Sequence, residues 1–182
     1  MKINDDDIKI FHPKKKEGAG SDLTSLAALM DKHRANGNLT KASFLGERLA
    51  DLTPENFCGE DSKKLNNTEL LQLRALMVFT FQITLHTYLP HQLLSTQAVN
   101  SMYAKIETTS PGFFAHITDG SSFSFYYLTV RNNREIERNI GKNFAMLCDK
   151  DDSEYLISLG MQTFTDAEAK VLSLIEQFEF EY

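Results

Sequence analysis

Residues 113–131 hold the densest chemistry in the chain: six aromatic side chains (Phe113, Phe114, Phe123, Phe125, Tyr126, Tyr127), His116 and Arg131. Aromatics in such a cluster can build an ordinary core, a subunit interface or an apolar pocket. If 122–131 is helical, Phe123, Tyr127 and Val130 share a face and Tyr126 lies beside it, while Phe125 and Leu128 point elsewhere. A helix apolar on two faces needs two partners. One is the body of the protein, and the other is a second subunit, a partner protein or a bound apolar ligand. Buried tyrosine hydroxyls need hydrogen-bond partners, and His116 with Arg131 could form the polar end of a mostly apolar pocket. Phe123, Tyr126, Tyr127, Arg131 and His116 are therefore the candidate ligand or interface residues.

Arg131, Arg134, Arg138 and Lys142 form a second series, spaced to lie on one helical face. Such a face can contact phosphate. Glu135 and Glu137 are interleaved, so a solvated, salt-bridged face is expected, and no helix-turn-helix accompanies it. His86 and His91 flank Pro90 and could meet with Tyr88 at one cavity. A metal site would need a third ligand and supporting hydrogen bonds, so exposed histidines at a helix junction are expected instead.

Catalytic and cofactor signatures are missing from the sequence. Gly18-Ala19-Gly20 lacks the third glycine and preceding strand of a dinucleotide loop. Gly141-Lys142 precedes Asn143 rather than Ser or Thr. No nucleophile elbow, Glu-x-x-His pair or Cys-x-x-Cys occurs. No catalytic residue, cofactor or metal is expected from motifs, although a site assembled from distant residues escapes any motif search.

The chain has 182 residues and a net charge of −6, long enough to bury a core without disulfides or metal. Cys58 and Cys148 read as buried thiols of a cytoplasmic protein. Met1–Asp7 has no apolar signal region, and the most apolar stretch, 70–85, is broken by Gln72 and Arg74, so no membrane span is expected. The charge is uneven: residues 149–182 carry nine acids and two lysines, and the rest is near neutral. Nucleic acid is not the expected partner, with the face around Arg131 the weak point of that exclusion.

The elements that must position these residues read as helices. Residues 1–20 look like a disordered tail of charge runs and glycines. Ser21 or Asp22 caps a helix carrying Leu23, Leu26, Ala27 and Met30, and Asn36-Gly37-Asn38 stops it. Ala42, Leu45, Leu49 and Leu52 mark a second helix closed by Thr53-Pro54. In this hairpin, 21–54, Ala42, Leu49 and Pro54 fall at offsets resembling one unit of a tetratricopeptide repeat. Met30 and Gly46 stand where that repeat has Gly and an aromatic, and no copy follows at a period of about 34 residues. One unit cannot stack into a solenoid.

After a polar loop, 55–67, Thr68 caps a helix to about Leu89 that is apolar all round and hence central. Residues 78–89 also alternate like a strand. Further helices are expected from Ser95 or Thr96, from Ser110-Pro111, after Asp119-Gly120, and over Ile136–Leu147. A segment capped within 151–153 should end at Gly160. The capping box Thr165-Asp166-Ala167-Glu168 should open a last, separate helix. The expected fold is thus all-α, a single-domain helical bundle over 21–182 with a main body at 68–182. The alternative is α+β, with an antiparallel sheet over roughly 113–159.

The expected function is that of a non-enzymatic cytoplasmic binding protein, a helical interaction or regulatory module. A helical sensor with an aromatic-lined apolar pocket is the second expectation, and an enzyme without a visible motif the third.

Overall fold

A computed structural model describes residues 19–132 and 134–181, with side chains from Ser25 onward. The fold is all-α. Among the described residues there is no strand, so the α+β alternative falls. The expected tail, 1–20, lies outside the described residues except for Ala19 and Gly20, which are already helical.

The helices are α1 (Ala19–Ala35), α2 (Asn38–Ala50), α3 (Pro54–Phe57), α4 (Asn67–Tyr88), α5 (Gln92–Thr109), α6 (Pro111–Thr118), α7 (Ser121–Asn132), α8 (Ile136–Leu147) and α9 (Glu154–Phe178), with a 3-10 turn at Gly59–Lys64. Two of the breaks between them use glycine in the left-handed region, Gly37 between α1 and α2 and Gly120 between α6 and α7. Pro111 opens α6 as its first residue. No described helix is long and apolar enough to cross a membrane.

The central helix is α4. Asn66 rather than Thr68 caps it: the Asn66 side chain accepts from the Glu69 N–H at 3.0 Å, and the Glu69 carboxylate accepts from the Asn66 N–H at 2.8 Å. Of residues 78–89, ambiguous by pattern, all but the last continue this helix, and Leu89 is its extended C-cap. The alternation of Phe79, Phe81, Ile83 and Leu85 arises because α4 serves two cores at once. Met77, Val78, Phe81 and Leu85 enter one core with α2, α5, α6 and the C-terminal half of α9. Leu73, Leu76 and Phe79 enter another with α7, α8 and the N-terminal half of α9. With partners on both sides, a helix keeps apolar residues all round its axis.

Close helix contacts depend on small residues. A Cβ at Gly46 would fall inside the Ala98 carbonyl of α5, which is why α2 can lie so near α5. Gly141 of α8 likewise faces the backbone of Ile157 in α9, and Gly160 faces Gly141 and Phe144. This corrects the expected helix end at Gly160. The glycine is retained in mid-helix for contact, and α9 runs unbroken through the Thr165-Asp166-Ala167-Glu168 box. There Thr165 Oγ1 donates back to the Met161 carbonyl within the helix.

Two more expectations change. The helix after Pro90 begins at Gln92, not Ser95, because His91 Nδ1 accepts from the Leu93 N–H at 3.1 Å and caps it. Leu26, expected on a packing face of α1, is 46% exposed; of the described α1 side chains only His33 is buried.

Candidate functional site

α7 is held at both ends. Near its start Ser122 Oγ donates to Gln72 Oε1 of α4 at 3.0 Å, in a buried setting. Near its end Asn143 Nδ2 of α8 donates to the Phe125 carbonyl at 3.1 Å and to Thr129 Oγ1 at 2.8 Å. This orientation buries Ser122, Tyr126 and Thr129 and turns the opposite side of the helix outward.

The five candidate residues do not form one site. Tyr126 is fully buried, its ring 5.3 Å from Phe79. Its hydroxyl has no hydrogen-bond partner. Burial drives the phenol well above its usual range, and the neighbouring Cys148 thiol adds to the shift. Burial likewise pushes Cys148 up to about 12. Phe123 is half-buried at the seam between the two cores and meets Phe79 edge-on, with centroids 5.5 Å apart. Tyr127 is 61% exposed. Arg131 is exposed at the end of α7. His116 belongs to α6, and its buried Nε2 has no partner. Tyr126 therefore enters the core while Tyr127, about 100° further round the helix, reaches solvent, and neither Arg131 nor His116 lines the groove that Tyr127 borders.

Phe123 and Tyr127 do share a groove. It runs between α4 and α7, has a volume near 600 Å³ and is open to solvent. Phe79, Ile83, Phe123, Tyr127 and Val130 make its apolar lining, and Gln82 and His86 supply polar edges. Beyond Tyr127 the outer face of α7 presents Phe125, 43% exposed, and Leu128, 54% exposed. No charged residue occurs from Ser121 through Val130. The two-faced character read from the sequence is thus realised: the inner face packs and the outer face does not.

His86 and His91 go separate ways. His86 Nδ1 lies 3.0 Å from Ser95 Oγ, at the groove. His91 stacks at a tilt on His33 of α1, with ring centroids 5.6 Å apart. Tyr88 instead meets Glu168 of α9. No group of three metal-ligating side chains occurs among the described residues.

A second concavity sits at the elbow between α7 and α8. Its volume is near 640 Å³, and Thr129, Asn132, Arg134, Asn139, Lys142 and Asn143 line it. The expected salt bridges to Glu135 and Glu137 are missing: none of Arg131, Arg134, Arg138 and Lys142 forms an ion pair among the described residues. Sequence reading placed the series on one face but overestimated its neutralisation. Arg134 falls before α8, outside the helical register.

No family model, curated protein or solved structure matches the chain.

Proposed function

We propose that this chain is a non-enzymatic binding module that docks through the outer face of α7, and that the first occupant of this face is a second copy of the chain. The supporting observation is the exposure of three large uncharged side chains on the solvent side of α7: Phe125 and Leu128, and Tyr127 at the α4–α7 groove. Exposed large apolar side chains gathered on one helix mark interaction sites in folded proteins.

Charge placement favours a second copy. The face is bounded by exposed Asp119 before α7 and exposed Arg131 near its end. A two-fold axis across α7 aligns the helices antiparallel and brings each arginine to the other copy's aspartate. The uncharged centre then meets itself without desolvating a charge. A cytoplasmic location fits the two free cysteines.

Sedimentation equilibrium tests this directly. A dimer is expected in the micromolar range, lost in the Phe125→Glu, Leu128→Glu double variant. Arg131→Asp should weaken it, and adding Asp119→Arg should restore it. A monomer throughout that range, or a double charge swap no better than the single change, rejects self-docking.

The groove supports a second reading, a sensor for a small apolar ligand, because its volume falls in the range of about 300–1,000 Å³ typical of ligand sites. Native mass spectrometry of the freshly purified chain should then show a bound apolar molecule, displaced when Ile83 and Val130 are replaced by glutamine. The bare mass alone rejects it.

A further inference from the structure

We propose that the cleft at the α7–α8 elbow is an anion site for a compact phosphate ester bearing hydroxyl groups, a sugar phosphate or a nucleoside monophosphate.

The first support is where the unpartnered cations lie. Most described lysines and arginines are engaged elsewhere. Arg34, Lys63, Lys64, Lys105 and Lys150 pair with carboxylates. Lys41 donates to the Glu179 carbonyl. The guanidiniums of Arg74 and Arg48 lie over the rings of Phe113 and Phe178. Lys32 and Lys170 aside, the described cations without such a contact among the described residues are Arg131, Arg134, Arg138 and Lys142, from the end of α7 through α8, and Arg134 and Lys142 line the cleft. Unpaired cations gathered in one place raise the local potential and attract anions.

The lining itself is the second support. Arg134 and Lys142 face the cleft together with three asparagines and Thr129, and no carboxylate lines it. A guanidinium can grip two phosphate oxygens at once, and an ammonium adds a point charge. The Asn143 amide nitrogen is already spent, with its N–H groups on the Phe125 carbonyl and Thr129 Oγ1, while Asn139 gives one of its two N–H groups to the Arg134 carbonyl. Asn143 can therefore offer a ligand only its amide oxygen, which accepts from hydroxyls rather than from phosphate, and the Asn139 amide oxygen can accept in the same way. Asn132 keeps a donor for a phosphate oxygen. Cations with hydroxyl-accepting amides describe a phosphate on a polyhydroxylated carrier.

A third observation limits the size of the anion. Lys142 and Asn143 also border a neighbouring cavity lined by Asp151, Asp152 and Glu154. That carboxylate wall repels a nucleic-acid backbone continuing past Lys142, while a single phosphate ester ends before it. The cleft volume near 640 Å³ also suits a small molecule.

The site does not depend on α7 self-docking. The test titrates the full chain with ribose 5-phosphate, adenosine monophosphate, inorganic phosphate and a short single-stranded oligonucleotide at fixed ionic strength. Binding is read by calorimetry and by amide NMR shifts. Saturable binding of the esters, with shifts at Asn132, Arg134 and Lys142, is expected, and inorganic phosphate should bind more weakly. Arg134→Gln and Lys142→Gln should each weaken ester binding about tenfold. Lys170→Gln should not, and melting curves verify that all three variants fold. No saturation by about 10 mM ester overturns the proposal, as does binding indifferent to Arg134 and Lys142. Inorganic phosphate matching the esters means an adventitious anion only. Tighter binding of the oligonucleotide makes the cleft a polyanion surface instead.

Discussion

Asn38 and Glu181 lie 143 positions apart and hold each other through two hydrogen bonds. The Asn38 amide nitrogen donates to the Glu181 carbonyl at 2.6 Å, and the Glu181 N–H donates to the Asn38 amide oxygen at 3.1 Å. This pairing fixes which end of the amide is nitrogen. Its second N–H must then meet His33 Nδ1, 3.1 Å away, so His33 accepts at Nδ1 and carries its proton at Nε2. Asn38 is fully buried at the start of α2, and the C-terminal strap it clasps brings Phe180 into the core.

Asn38→Ala removes the clasp and leaves backbone groups of Glu181 without partners. The expected cost is about 2–3 kcal/mol, since both bonds are shielded and the strap holds a core phenylalanine. Urea unfolding checks the magnitude. Exchange of the Glu181 amide hydrogen should accelerate more than that of amides in α4. Unchanged exchange at Glu181 would show that Phe180 alone holds the strap.

Acid should loosen the same junction. Burial is the largest cause holding His33 below the ordinary histidine value of 6.5, with the nearby His91 and Lys32 charges adding to it. A depressed histidine pKa means that the unfolded chain takes up the proton first. Stability is therefore full above about pH 6.5 and falls as pH drops through the window between the unfolded and folded values. Protonated His33 also presents a proton to the Asn38 N–H instead of a lone pair. His33→Gln keeps an acceptor and removes the titration, so its urea midpoint should fall less than the wild type's between pH 7.5 and about pH 5.5. Equal falls in the two proteins would remove His33 as the cause.

Gly46→Ala should be costly and Gly112→Ala should not. The first methyl has no room beside the Ala98 carbonyl, whereas nothing lies within 4 Å of a methyl on Gly112. Separating α2 from α5 costs about 2–4 kcal/mol, while alanine in an open helical position is neutral or stabilising by about 0.5 kcal/mol. Thermal melts of the two variants measure the contrast. Similar melts would mean that the α2–α5 contact relaxes freely.

Tyr126→Phe should leave the protein as stable or raise its stability by about 1 kcal/mol. The hydroxyl is buried without a partner, so its removal ends a desolvation cost and keeps the ring contacts to Phe79. Loss of more than about 1 kcal/mol on denaturant titration would reveal a hydrogen bond for this hydroxyl in solution.

What the sequence made legible follows the range of the interactions involved. The central position of α4 was readable because its residues are apolar all round, a local property. The Ser110-Pro111 start and the break at Asp119-Gly120 were readable for the same reason. The unbroken α9 was not, because Gly160 carries the local mark of a helix end while its partner Gly141 lies on another helix. The candidate site divides in the same way. Periodicity gave α7 two apolar faces, yet it joined Tyr126 to Tyr127, and it carried no information on how far His116, on the separate helix opened by Ser110-Pro111, lies from them. The clasp between Asn38 and Glu181 left no local trace.

The double service of α9 bears on the order of manufacture. Leu156, Leu159 and Phe164 complete one core, and Ala167, Val171 and Leu174 complete the other. A chain growing from its N-terminus therefore has neither core sealed when α8 leaves the ribosome. Helices α2 and α4 are made early, but the part of their apolar surface that α9 covers waits for that helix. During that interval the nascent protein presents to the translation machinery, and to any chaperone beside it, the surfaces that the finished protein hides.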